Sequence, residues 1–193
     1  MTTTPRTDIR IRPVQAADAA AMRQFVRGLS VQSRRMRFHV ALGDCPAAMA
    51  AHLAGADGVH HQAWVACQAT ADGERIVGEA RIYLRADGSQ SAELAIAVAD
   101  EFHGQGVAGA LMRTLTQAAD RAGVKRLFGE VLPDNGRMLA FMERQGFEAE
   151  PDAAEGLMRV VRSPQKAHAA QAWWQALRAV WAGWVPVAAG VVI

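Results

Sequence analysis

The chain has 193 residues, half of them apolar and a formal net charge of +2, which suits one globular domain. Near-balanced charge gives no footing for a nucleic-acid binder and would suit an anionic cofactor equally well. Cys45 and Cys67 are too few for a disulfide framework or a zinc site, and MTTTPRTDIRIRP has no apolar run for a secretory signal, so a cytoplasmic protein is expected.

Residues 1–8 read as a polar, frayed end. Ile9 and Ile11 alternate with Arg10 and Arg12, which predicts a first strand stopped by Pro13. Asp18 then opens an alanine-rich helix through Met22, Phe25 and Val26, ending near Gly28. A second helix follows with Ser30 as its cap and Met36 and Phe38 as apolar contacts. Its Arg34, Arg35 and Arg37 are either a solvated cationic face or contacts to substrate or phosphate. A short helix is expected at Ala47–Leu53, then strands at Gln62–Ala69 and Arg75–Arg85 joined at Ala71-Asp72-Gly73. His60 and His61 are adjacent in sequence, so in a strand they point to opposite faces, and no metal site is expected.

The chain is organised around Ser91–Met112, SAELAIAVADEFHGQGVAGALM. In its strand, Leu94, Ile96 and Val98 share one face, while Glu93, Ala95 and Ala97 share the other. A turn carrying Gly104 and Gly106 passes into a helix with Val107, Leu111, Leu115 and Ala118 on one stripe. A glycine turn feeding a helix N-terminus offers free amides and a positive dipole end, which suggests a pyrophosphate cradle. It is not a Walker loop, because Ala110-Leu111 follow Gly109 where Lys-Ser/Thr is needed. Nor is it a dinucleotide fingerprint: Gly104, Gly106 and Gly109 have the spacing, but they sit mid-chain, and no acidic residue ends the next strand.

Gly123 closes that helix, and Arg126–Val131 reads as a short buried strand. Pro133-Asp134-Asn135-Gly136 opens another helix with Met138, Leu139 and Met142 at helical spacing, broken at Gly146. Phe147–Glu150 and Leu157–Val161 make a final hairpin. This order predicts an α/β (α+β) fold, a mixed twisted central sheet with helices on both faces. Residues 163–193 form a separate C-terminal extension with four of the five tryptophans, read as a helix that packs on the domain or makes a homodimer contact in preference to a membrane surface.

His103-Gly104-Gln105-Gly106-Val107-Ala108 resembles the Gln/Arg-x-x-Gly-x-Gly/Ala signature of the GNAT acetyltransferases. VLPDNGRMLAFMERQGF, with Asn135, Met138-Leu139 and Gly146-Phe147, is similar to their downstream half, and the likeness covers about residues 9–162. It departs at His103, where Gln or Arg is usual, and at Met142, where many members carry tyrosine. The resemblance implies acetyl-CoA as acetyl donor and no metal. It implies that the backbone at Ile96, Ala97 and Val98 pairs with the pantetheine arm. The amides of His103, Gly104, Gln105, Gly106, Val107, Ala108 and Gly109 would hold the pyrophosphate, with Asn135 near the sulfur. Leu29-Ser30 and Ser33-Arg34-Arg35-Met36-Arg37-Phe38 resemble bacterial protein-lysine acetyltransferases, which implies a protein lysine as acceptor and Glu93 as general base. Acetyl transfer to a small amine and non-catalytic acyl-CoA binding remain open alternatives. Tyr83, the sole tyrosine, is read as packing and is not assigned the acid role; either solvent protonates the leaving thiolate or no dedicated acid exists.

Overall fold

The computed structural model describes residues 9–71, 73–152 and 156–163; the predicted polar end and nearly all of the tryptophan-rich extension lie outside them. Seven strands form one mixed sheet in the order β1-β2-β3-β4-β5-β7-β6. They are β1 (Ile9–Pro13), β2 (His61–Thr70), β3 (Gly73–Leu84), β4 (Ser91–Val98), β5 (Arg126–Val131), β6 (Glu148–Asp152) and β7 (Leu157–Arg162). Five helices are interleaved: α1 (Ala19–Gly28), α2 (Val31–Phe38), α3 (Ala47–Ala54), α4 (Val107–Arg121) and α5 (Gly136–Arg144). Among the described residues, no helix is long and apolar enough to cross a membrane.

The alternation read in β4 is the one observed. Leu94, Ile96 and Val98 are buried, whereas Ala95 and Ala97 are half-buried and Glu93 is exposed. The apolar stripe of α4 (Val107, Leu111, Met112, Leu115) covers one face of the sheet. Helices α1 and α3 cover the other with Met22, Phe25, Val26, Ala50 and Leu53, so a continuous core lies on both sides of β2–β4. Helix α1 begins directly after Asp18, as the sequence suggests; the Asp18 carboxylate takes a bidentate bond from Arg12 at 2.8 and 2.9 Å and accepts from the Gln15 amide, tying β1 to the helix entry.

Every neighbouring pair is antiparallel except β4 and β5. Their parallel pairing covers only Ser91–Glu93 against Arg126–Phe128. Beyond it the two strands continue to Val98 and Val131 without pairing to each other, so the sheet splits into a V. Gly129 stands in the crotch, where a Cβ would lie 3.2 Å from the Leu94 carbonyl oxygen. The split leaves one edge of Leu94–Val98 with backbone groups that β5 does not satisfy, and such groups call for another partner.

Candidate functional site

Two cavities meet at the split. The larger, about 550 Å³, runs between α2, the outer half of β4, the start of α4, and α5. Helix α2 is fastened beside it by Asp100, whose carboxylate accepts from the Ser30 amide (2.9 Å), Ser30 Oγ (2.9 Å) and Ser33 Oγ (2.7 Å). Burial works against that charge, but the three donors outweigh it and hold Asp100 below the usual carboxylate range. Ser30 also caps α2 as expected, its Oγ accepting from the Ser33 amide. Opposite, Arg35 pairs with Asp134 at 2.8 Å, linking α2 to the loop before α5.

At one end of this cavity the chain turns through Gly104 (φ +77°) and Gly106 (φ +84°), left-handed conformations that glycine adopts without strain. The space around both is open, and the first-turn amides of α4 have no intrahelical acceptor. His103 fastens the turn. Its Nε2–H donates to the Val98 carbonyl at 2.8 Å, and its Nδ1 accepts from Arg137 Nη1 at 2.9 Å, a tautomer fixed because a guanidinium can only donate. Ile96, Ala97, Val98, His103, Gly104, Gly106, Val107, Ala108, Gly109 and Asn135 all line the cavity. Gln105 does not: its side chain turns back to donate to the Glu101 carbonyl at 2.7 Å. Asn135 lines both cavities, and its Oδ1 caps α5 by accepting from the Met138 amide at 3.2 Å.

The smaller cavity, about 250 Å³, lies at the crotch of the V and shares Met36, Arg37, Ile96, Asn135 and Met138 with the larger. Glu93 lines it, and its carboxyl is pushed up, first by burial and then by the negative charge of Glu130. Arg37 is held from behind. Glu79, 2% exposed, accepts from Arg37 Nε and Arg81 Nε, both at 2.7 Å, and Arg81 also donates to His61 Nε2 at 3.0 Å. Burial opposes ionisation of Glu79, yet Arg37 and Arg81 prevail and hold its carboxyl down. His61 is lowered to about 4 by burial and the Arg81 charge, so it sits neutral against the Tyr83 ring, 4.3 Å away. Met142 is buried in the cavity wall and brings a thioether that carries no proton. Tyr83 lies outside both cavities, its hydroxyl bonded to His52 Nε2 at 3.2 Å.

A model of the acetyltransferase (GNAT) domain matches residues 8–148. The chain belongs to the GNAT acetyltransferase family. An acetyltransferase of Pseudomonas aeruginosa is 30% identical to it over 145 residues, 75% of this chain and 77% of that one. The GNAT domain of S. lividans PAT superimposes with a TM-score of 0.73 at 25% identity, covering 80% of this chain and 90% of that one. Acetyltransferase Pat of Mycolicibacterium smegmatis is 30% identical over 99 residues, 51% of this chain and 29% of that longer protein.

As a GNAT acetyltransferase the chain is an acetyl-CoA-dependent N-acetyltransferase. The residues present fit that donor. Open space over two positive-φ glycines admits a phosphate, and the unpaired β4 edge offers amide partners along the cleft. Sequence reasoning missed Glu130, Glu79, Arg81 and Arg137. Strand alternation in LFGEVL places Glu130 on a face, but only the β4–β5 split puts that face in a cavity. The three arginines of α2 divide. Arg34 donates to the carbonyls of Leu42, Arg27 and Leu29, Arg35 makes the bridge, and Arg37 reaches the buried glutamate. None is simply a solvated cation.

Proposed function

We propose that this GNAT acetyltransferase acetylates a protein lysine by direct attack of the amine, with Glu93 as the general base. The observation that carries the reading is the position of Glu93 in a small cavity that opens, through shared walls, onto the donor cleft. Acetyl-CoA, when bound, supplies an acetyl thioester. Ile96, Ala97 and Val98 hold its amide arm by backbone pairing, and the turn from His103 to Gly109 receives its phosphates, with Arg137 beside them through His103. Gln105 contributes its amide alone.

A lysine ammonium has an unperturbed pKa of about 10.4, so it must lose a proton before it can attack. Glu93 takes that proton, directly or through one water, and passes it to solvent. Its raised proton affinity brings it closer to the working pH, which improves a base of this kind. Met142 has no proton to give, so protonation of the leaving sulfur falls to water in the open cleft. Support for a protein acceptor comes from the likeness to the GNAT domain of S. lividans PAT and to Acetyltransferase Pat.

The test is release of CoA from acetyl-CoA across a panel of acceptors. It should include acyl-CoA synthetases, blocked lysine peptides, a polyamine and free amino acids. Protein lysines should be acetylated with the highest kcat/KM, and acetyl-lysine should appear by mass spectrometry. A small amine outpacing every protein would assign the site to small-molecule acetylation. Acetyl-CoA binding with no turnover on any acceptor would make the chain a binding regulator.

A further inference from the structure

We propose that Glu130 is the carboxylate that docks the acceptor's ammonium group, so that the site selects amines carrying a positive charge at the reacting nitrogen. This rests on the reading of Glu93 as the base and adds the residue that brings the acceptor to it.

The placement follows from the register. Phe128 is the last β5 residue paired with β4, opposite Glu93. Glu130 is two residues further, so it falls on the same face as Glu93, just where the strands have parted. Both carboxylates line the cavity of about 250 Å³ that shares walls with the donor cleft. The rest of its lining mixes Met36, Phe38, Met138 and Met142 with Arg37, His39 and Asn135. Two like charges in a small chamber repel each other, and a cation between them relieves that repulsion.

The two glutamates are not equivalent. Glu130 Oε1 accepts from Arg159 Nη2 at 3.3 Å, and Arg159 lies over the Phe128 ring and also pairs with Asp152. That anchor fixes Glu130 at the chamber wall. Glu93 has no ion pair among the described residues. The charges that face it are Glu130 from β5, Arg85 beyond the end of β3, and Arg37 and His39 from and just after α2. Glu130, held in place by Arg159, therefore docks the cation, and Glu93, with no ion pair among the described residues, takes the proton.

The experiment uses the full chain, acetyl-CoA and two acceptors. One is a blocked peptide with a single lysine flanked by glycines; the other is methoxyamine, which is uncharged at neutral pH. In Glu130→Gln, KM for the lysine peptide should rise about tenfold, the scale of a lost charge-assisted hydrogen bond, while kcat and KM for acetyl-CoA stay within about threefold. Methoxyamine kinetics should stay within about twofold, because no charge is there to be docked. The acid limb of kcat/KM should move to lower pH, since Glu93 loses the negative neighbour that raises it. Glu130→Asp should restore most of the lysine KM. A lysine KM that does not change, an equal loss for both acceptors, or an unmoved acid limb would overturn the proposal and leave Glu130 as a partner for Arg159 alone. If Glu93→Gln turns over like the parent, the base assignment fails. The charge-dependent KM of Glu130→Gln still decides the docking role.

Discussion

The two cavities that meet at the split are built from different materials. The donor cleft is mostly backbone: an unpaired strand edge at Leu94–Val98, two glycines in left-handed conformations and the first turn of α4. The smaller cavity, proposed for the acceptor, is marked by charged side chains: Glu93 and Glu130 in front, with Arg37 held by the buried Glu79 and Arg81 behind. Backbone amides bind a phosphate chain with little need of buried support, because the fold itself fixes them. Charged side chains around a reacting atom need their own scaffold, and here it reaches across the sheet to His61. Changes on the acceptor side should therefore act on rate and stability, and changes on the donor side on cofactor affinity.

The largest effect is expected at Glu93. General-base assistance is worth about a hundredfold to ten-thousandfold, roughly 3–5 kcal/mol, so Glu93→Gln should lose kcat on that scale. It should keep its affinity for acetyl-CoA, as read by thermal shift. In the parent, kcat/KM should fall as pH drops through the Glu93 value, which lies above the usual carboxylate range because burial and Glu130 disfavour the ionised form. The variant should lack that limb, and its residual rate should climb with pH as the acceptor amine becomes neutral unaided. Turnover within a few-fold of the parent at neutral pH would remove Glu93 from the role.

Glu79→Gln should produce the largest loss of stability. It removes the one carboxylate between two guanidiniums in a place where Glu79 is 2% and Arg81 1% exposed. Breaking a buried pair leaves uncompensated charge and costs about 3–5 kcal/mol, measurable by urea denaturation. The pH dependence has a defined sign. Glu79 is held below its unfolded value, so its contribution is present above the ordinary carboxylate range and is lost as pH falls through the folded value. His61 acts earlier. Folded, it titrates at about 4 against 6.5 for an ordinary histidine, so stability is full above 6.5 and declines as pH falls from there toward 4. A midpoint of unfolding that did not fall across that range would show the network to be better solvated than its burial implies.

The same contrast explains what could be read in advance. The larger cavity, proposed for the donor, was legible because glycines, a helix start and an alternating strand are local patterns, each visible within Ser91–Met112. The elements followed as well, since Ser30, Gly123 and Gly146 mark their ends by local rules. Of the charged residues in the smaller cavity, proposed for the acceptor, the sequence singled out Glu93 and, among the α2 arginines, Arg37. Glu130 and Arg37 matter because β5 parts from β4 and because α2 lies over the sheet, and neither is a property of a short window. The bond from Arg12 to Asp18 was invisible for a similar reason, since it joins β1 to the start of α1.

A change confined to the donor side should leave stability and the acid limb nearly alone. At Gly106 (φ +84°) a side chain is strained by about 1–2 kcal/mol, and valine would project into the open space over the amides. Gly106→Val should raise KM for acetyl-CoA about tenfold or more and abolish the thermal shift that acetyl-CoA gives the parent, since a ligand stabilises only the state it binds. An undiminished shift would mean that the phosphates lie elsewhere.

The smallest effect should come from the Arg35–Asp134 bridge, which among the described residues links α2 to the loop before α5 across the larger cavity. Both partners are well exposed, at 46% and 56%, and an exposed pair contributes about 0–1 kcal/mol. Arg35→Ala should therefore leave the urea midpoint nearly unchanged and raise KM for acetyl-CoA by less than about fivefold, with the difference vanishing in 1 M salt as the parent's own pair is screened. Helix α2 keeps its place in the variant because Asp100 still holds Ser30 and Ser33. A salt-independent loss of more than about tenfold would exceed what a screened surface pair can supply. It would mean that the bridge closes the cleft over the donor, and that a side-chain latch has to be added to the backbone account of how acetyl-CoA is held.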